Sequence, residues 1–229
     1  MKLADPLETQ PERPDSLARQ VHDILSEMLL SGRLRPDDRM SMRELAERLG
    51  VSVMPIREAV SRLVAAGALE VRPNRAVAVP LLTRAGFQDL TEIRIHNEAH
   101  AARLAATRMS VAGLDRLRQL DRNFRDVLSS TDGRDAVRAN KDLHFHVYEA
   151  AGSPMLRELI VTMWLKAGPV INLDLGEASR RSRSAASVRN HADLIAAIAA
   201  RDPEGAARAL AEDIRSAADF ILSRDVLRD

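Results

Sequence analysis

The stretch from Ser41 to Gly67, SMRELAERLGVSVMPIREAVSRLVAAG, limits the fold more than any other part of the chain. It carries two short helical patterns with only a few residues between them. Ser41 and Glu44 stand at capping-box spacing, so a helix is expected from about Met42. Leu45, Ala46 and Leu49 give that helix an apolar side, and Gly50 is placed to end it. Ser52 is placed to cap a second helix, and Pro55 falls in its first turn, where a missing N–H costs little. Ile56, Val60, Leu63 and Val64 recur at i, i+4, i+7 and i+8, and Gly67 stops the run. Two helices joined this tightly make a helix-turn-helix, with the second as recognition helix.

Two packed core helices would show the same local pattern, so the flanks decide. Leu69 to Arg72 and Val77 to Val79 are short β-type runs around the turn Pro73-Asn74-Arg75-Ala76, a small hairpin or wing. Upstream, Leu17, Val21, Ile24, Leu25, Met28 and Leu29 form one apolar stripe of a longer helix. Helix, helix-turn-helix and hairpin in this order predict a winged helix. Charge alone would not have suggested DNA. The chain carries a net +1, and from Asp15 to Pro80 ten arginines face nine acidic residues. DNA binding therefore has to rest on the local placement of Arg43, Arg57, Arg62, Arg72 and Arg75.

Beyond the wing the composition shifts to long helical patterns rich in Ala, Leu and Arg. With 229 residues and 45% hydrophobic composition, the chain suits two modest domains with real cores. The expected division is a flexible arm over 1–14, a winged helix-turn-helix over 15–82, and an antiparallel all-α bundle over 83–229. The fold class is thus mainly α with one small β-hairpin wing. No apolar run approaches membrane-spanning length and no secretory signal opens the chain, so a cytoplasmic protein without a membrane partner is expected. The absence of cysteine excludes disulfides and thiolate metal sites.

Within the bundle region the first helix is expected from about Ala85 to Met109. Its stripe of Phe87, Leu90, Arg94, Asn97, Ala101, Leu104 and Ala105 places an arginine and an asparagine on an otherwise inward face. Two roles are open to Arg94: pairing with a structural carboxylate, or holding an anionic ligand bidentately. Helices follow over about Val111–Ser129 and Asp135–Ala151, and another opens at Ser153-Pro154, with Pro169 expected to kink or end it. Glu177 to Ser187 reads as a polar loop, before a helix holding His191, Leu194, Ile195 and Ile198. Asp202-Pro203 opens the last, whose stripe carries Leu210, Asp213, Ala217 and Ile221. Asp142 and His146 are four apart beside Leu143 and Phe145, which suggests an inward face. With His191 and Asp213 they offer imidazole and carboxylate groups from three helices to one interior, as bundle metal sites do. Asp142 and His146 alternatively only pair with each other.

The first region also resembles the DNA-binding domain of GntR-type regulators, through SGRLRPDDRM, RELAERLGVS, MPIREAVSRL and the wing VRPNRAVAV. That resemblance implies that Arg43, Ser52, Arg57 and Arg75 touch DNA. The position after the matched serine, often arginine in the family, is Val53, which can contact a thymine methyl. The wing tip, often glycine, is Ala76. Residues 86–226 resemble the FCD ligand-binding domain of the FadR branch, through EIRIHNEAHAARLAA, KDLHFHVYEAAGSPML and NHADLIAAIAARDPEGAARALAEDI. This likeness implies a divalent metal, zinc or nickel, held by Asp142, His146 and His191, with Asp213 in place of the family's last histidine. It further implies a small carboxylate effector beside the metal, held by Arg94 with Asn97 on the same stripe.

The expectation is a non-enzymatic, homodimeric transcription regulator on a palindromic DNA operator, in the manner of a repressor. A metal-dependent hydrolase using the bundle cluster is the alternative from another class; it lacks an HExxH and leaves the winged helix unexplained. A DNA-binding protein with a ligand-free structural bundle is the third.

Overall fold

The computed structural model describes residues 17–73, 76–129, 135–175, 180–224 and 227–228. The expected arm over 1–14 and the wing-tip Arg75 lie outside them. The chain runs α1 (Leu17–Leu30), β1 (Arg39–Met40), α2 (Met42–Leu49), α3 (Val53–Ala65), β2 (Glu70–Val71) and β3 (Val77–Ala78). Then come α4 (Arg84–Arg108), α5 (Val111–Ser129), α6 (Ala136–Ala150), α7 (Pro154–Leu175), α8 (Arg180–Ala199) and α9 (Pro203–Leu222).

The local signals around the helix-turn-helix act as their chemistry demands. The Ser41 hydroxyl accepts from Glu44 N at 3.1 Å, and the Glu44 carboxylate accepts from Ser41 N at 2.8 Å. Gly50 ends α2 at φ 65°, a conformation most side chains avoid. Val21, Leu25 and Leu29 of α1 pack with Leu45, Ile56, Val60, Leu63, Leu69 and Val77, while Leu17 and Ile24 of the expected stripe stay exposed. The wing gains a third, unexpected strand. In the antiparallel order β1-β3-β2, β3 pairs Ala78 with Arg39 on one side and with Glu70 on the other.

Thr83 caps α4 by accepting from Gly86 N at 3.0 Å, and the remaining helices form the bundle. Two expectations are corrected here. Pro169 does not end α7, which runs on to Leu175 because Val170 and Ile171 beyond it are buried. The segment read as a polar loop up to Ser187 is helical from Arg180, since α8 continues into it.

The two regions are tied together by α7. Leu165 is buried in the winged-helix core. At Gly168 a Cβ atom would lie 2.2 Å from the Leu29 carbonyl oxygen, so only glycine lets α7 approach the end of α1. From α6, Lys141 Nζ reaches the Glu27 carboxylate of α1 at 2.6 Å and 2.8 Å.

Candidate functional site: a nucleic-acid face and a buried polar centre

On the winged helix, Arg43 in the first turn of α2 and Arg57 in the second turn of α3 are exposed, and neither has an ion-pair partner among the described residues. Ser52 occupies the N-cap of α3, yet its hydroxyl makes no capping bond and is left exposed. Two cations and a hydroxyl at the start of paired helices suit phosphate and base edges. Arg62 and Arg72 are engaged otherwise. Arg62 pairs with Glu58 at 2.8 Å, and Arg72 ties the wing to Asp37 and to Glu70. Val53 is partly buried against the winged-helix core.

In the bundle, the polar residues that converge are not all those expected. Among the described residues the group able to hold a metal ion is His144, His191 and Asp213, all buried. His144 Nε2 lies 3.3 Å from His191 Nε2 and 3.2 Å from Asp213 Oδ2, while His191 Nε2 is 3.9 Å from Asp213 Oδ1. Asp142 and His146 are elsewhere, which corrects the expectation built on their spacing. Asp142 is half exposed beside Lys141 at 3.3 Å, and His146 Nε2 donates to the Gly113 carbonyl at 2.8 Å. The reason lies in the stripe of α6. Its buried residues are Ala136, Val137, Asn140, Leu143, His144, Val147 and Tyr148, a helical repeat that takes in His144 and turns Asp142 and His146 outward. Phe145, read as marking the inward face, is only partly buried and packs edge-on against Trp164.

Arg94 takes the first of the two roles open to it. Its guanidinium is buried and taken up by Glu98 one turn on, with Nε at 2.7 Å and Nη2 at 3.3 Å. The Trp164 ring lies 4.9 Å beneath it. Burial works against the charge, but Glu98 outweighs it and the Arg94 pKa is raised. Asn97 donates one amide N–H to the Ile93 carbonyl at 2.8 Å. The i, i+4 spacing of Arg94 and Glu98 was the available signal for this pair.

Glu98 also organises His144. The Tyr148 hydroxyl and Trp164 Nε1, the latter at 3.1 Å, both donate to Glu98 Oε2. Burial, reinforced by the Glu98 charge, pushes the Tyr148 hydroxyl well above its ordinary range, so it stays protonated. With its proton given to Glu98, the Tyr148 oxygen accepts from His144 Nδ1 at 2.9 Å, which turns His144 Nε2 toward His191 and Asp213. His191 differs in having, among the described residues, no hydrogen bond at its buried Nδ1. Its Nδ1 faces Asp121 Oδ1 at 3.8 Å, and Arg125 holds the other Asp121 oxygen at 2.8 Å. Burial pushes the His191 imidazole down to about 4, so it is neutral near pH 7.

The Nε2 atoms of two imidazoles and a carboxylate thus face one another. Two bonds of ~2.0–2.1 Å at a near-tetrahedral angle would set the nitrogens about 3.3 Å apart, as they are here. The donor set fits a divalent cation. The cavity beside it, lined by Arg94, Asn140, His144, Ser187 and Asp213, measures about 20 Å³. That is room for an ion or a water and not for an organic acid.

A winged helix carrying free arginines and fused to a helical bundle with a buried polar centre defines a DNA-binding regulator with a sensing domain. Comparison with known proteins names the family. The bacterial regulatory proteins of the gntR family match residues 17–79, and the FCD domain matches residues 89–216. The chain therefore belongs to the GntR family, in its FadR-like branch with an FCD domain, and its relatives are regulators and not enzymes. The HTH-type transcriptional regulator McbR of Escherichia coli is 32% identical over 197 residues, covering 86% of this chain and 89% of that protein. The solved E. coli McbR/YncC structure superposes with a TM-score of 0.85 at 29% identity, over 91% of this chain and 98% of that one. A probable D-xylose utilization operon transcriptional repressor from Paenarthrobacter nicotinovorans is 28% identical over 87% of this chain and 86% of its own length. No helix among the described residues is long and apolar enough to cross a membrane.

Proposed function

We propose that this regulator represses transcription from a palindromic operator as a cytoplasmic homodimer, with a divalent metal centre in its FCD domain and a small organic acid as effector. DNA contact is assigned to Arg43, Ser52 and Arg57, with Arg75 at the wing tip on family resemblance alone. The metal is assigned to His144 Nε2, His191 Nε2 and an Asp213 oxygen, with the Asn140 amide as a neutral fourth group on the turn preceding His144. Zinc or nickel suits this mixed nitrogen and oxygen set. Bound there, the ion supplies a Lewis-acidic anchor for a carboxylate.

The observation that carries the centre is the orientation of His144: Nδ1 is tied to the Tyr148–Glu98 pair and Nε2 faces His191 and Asp213. Such outer partners are what metal-binding histidines require. A cavity of about 20 Å³ means that an effector reaches the ion only once the surrounding helices part. Any effector preference between the two arrangements then shifts the DNA-binding heads.

Elemental analysis and melting curves test the centre. About one metal per chain is expected, with a stabilisation of ~2.7 kcal/mol at a free metal concentration a hundredfold above the Kd. His144→Ala should abolish that gain and His146→Ala should keep it. Chelation without effect, together with no stoichiometric metal, would leave His144 and Asp213 as a structural pair only. Arg57→Ala should weaken operator binding by ~1–3 kcal/mol in a gel-shift titration with helical content unchanged. Sedimentation at micromolar concentration that gave only the 25.3 kDa chain would exclude the dimer.

A further inference from the structure

The largest cavity among those described is not at the buried centre but between the winged helix and the bundle. It measures about 730 Å³, within the ordinary range for small-molecule sites, and four helices each contribute one stripe to it. Ser26 and Leu30 come from α1, and Asp142 and His146 from α6, in both cases residues four apart on one helical face. Leu120 of α5 with Val161 and Leu165 of α7 complete an apolar floor.

The polar groups around it divide into those already engaged and those left over. Lys141 is held by Glu27 and Asp142, Arg157 by Glu149 at 3.3 Å, and Asp23 by His22 at 3.3 Å. Arg116, exposed at the rim, has no ion-pair or hydrogen-bond partner among the described residues. The Ser26 hydroxyl is shut away from solvent, on a residue only 9% exposed, and likewise has no hydrogen-bond partner. A buried hydroxyl left unsatisfied is costly, and a ligand group that bonds it removes the cost. His146 donates from Nε2 to Gly113, which leaves Nδ1 to accept a bond on the same wall.

We propose that this interdomain cleft is a second ligand site, separate from the buried centre, and that it binds an amphipathic organic monoanion: an apolar body on the Leu120, Val161 and Leu165 floor, its charge on Arg116. Its walls come from α1 of the DNA-binding head and from α5, α6 and α7 of the bundle, so an occupant touches both domains. Its affinity therefore differs between their relative arrangements, which is the condition for a ligand to change DNA binding. The site stands whether or not His144, His191 and Asp213 hold a metal.

The test uses the full chain and the fluorescent anion 8-anilinonaphthalene-1-sulfonate. Titration should show one bound probe per chain. Arg116→Ala should weaken it about tenfold or more, as loss of a charge-assisted bond does. Ser26→Ala should weaken it several-fold while leaving the melting temperature unchanged or higher, because the orphaned hydroxyl is gone. His191→Ala should leave the probe's affinity intact. Octanoate should displace the probe and acetate, which has no apolar body, should not. Unchanged affinity in both Arg116→Ala and Ser26→Ala would overturn the site, and equal displacement by acetate would overturn the ligand class.

Discussion

The two faces of α6 put the same kinds of side chain to different uses. On one, Asn140, His144 and Tyr148 look into the bundle, where each imidazole or hydroxyl is tied to a partner on another helix. On the other, Lys141, Asp142 and His146 look toward α1 across a cleft, with Asp142 and Glu27 half in water. Polar groups on the first face sit where the dielectric is low and an unpaired one is expensive. Charges on the second are screened, and their pairs can open at little cost. Spacing four apart along a helix therefore tells that two residues share a face, and burial decides what the sharing is worth.

The contrast breaks most sharply at Glu98. Glu98→Ala leaves Arg94 buried without its partner and removes the acceptor of Tyr148 and Trp164. A loss of ~3–5 kcal/mol in denaturant unfolding is expected. A loss under about 1 kcal/mol would mean that water reaches this face after all. Acid titration of the metal-free protein gives the next largest effect. The His191 pKa is lowered from 6.5 to about 4 by burial, so between those values the unfolded chain binds the proton and the folded chain does not. Stability should fall as pH drops from 6.5 toward 4, by up to ~1.4 kcal/mol per pH unit. His191→Gln should flatten that slope; a slope that survived it would place the titrating group elsewhere. The smallest effect belongs to the cleft face. Glu27→Ala removes the Lys141 tie, and with the glutamate half exposed a change of only ~0–1 kcal/mol is expected in the same unfolding assay.

Legibility followed how locally each feature is decided. The Ser41–Glu44 box and Gly50 depend on residues within one turn of each other, and their positions could be read from the chain. The order of the helices was equally readable, and α5 runs over the expected Val111–Ser129. His191 and Asp213 stood on clear apolar stripes of their helices and are indeed buried. In α6 both candidate faces carried a histidine and an aromatic. Phe145 drew the reading to Asp142 and His146, while Val137, Leu143 and Val147 had already marked the stripe containing His144. Glu98 looked like one more charged helix residue until Arg94, Tyr148 and Trp164, from three different helices, closed on it.

By itself, then, the sequence determined a winged helix-turn-helix, a helical bundle after it, and a family of DNA-binding regulators, because caps, turns and helical periods act over a few residues. Tertiary structure alone decided that Tyr148 and Trp164 close on Glu98 beside Arg94, and that a cleft remains between α1 and the bundle. Those outcomes depend on how helices far apart in the chain pack. The narrow approach at Gly168 and the insertion of Leu165 into the winged-helix core are contacts of that kind, with no local pattern to announce them.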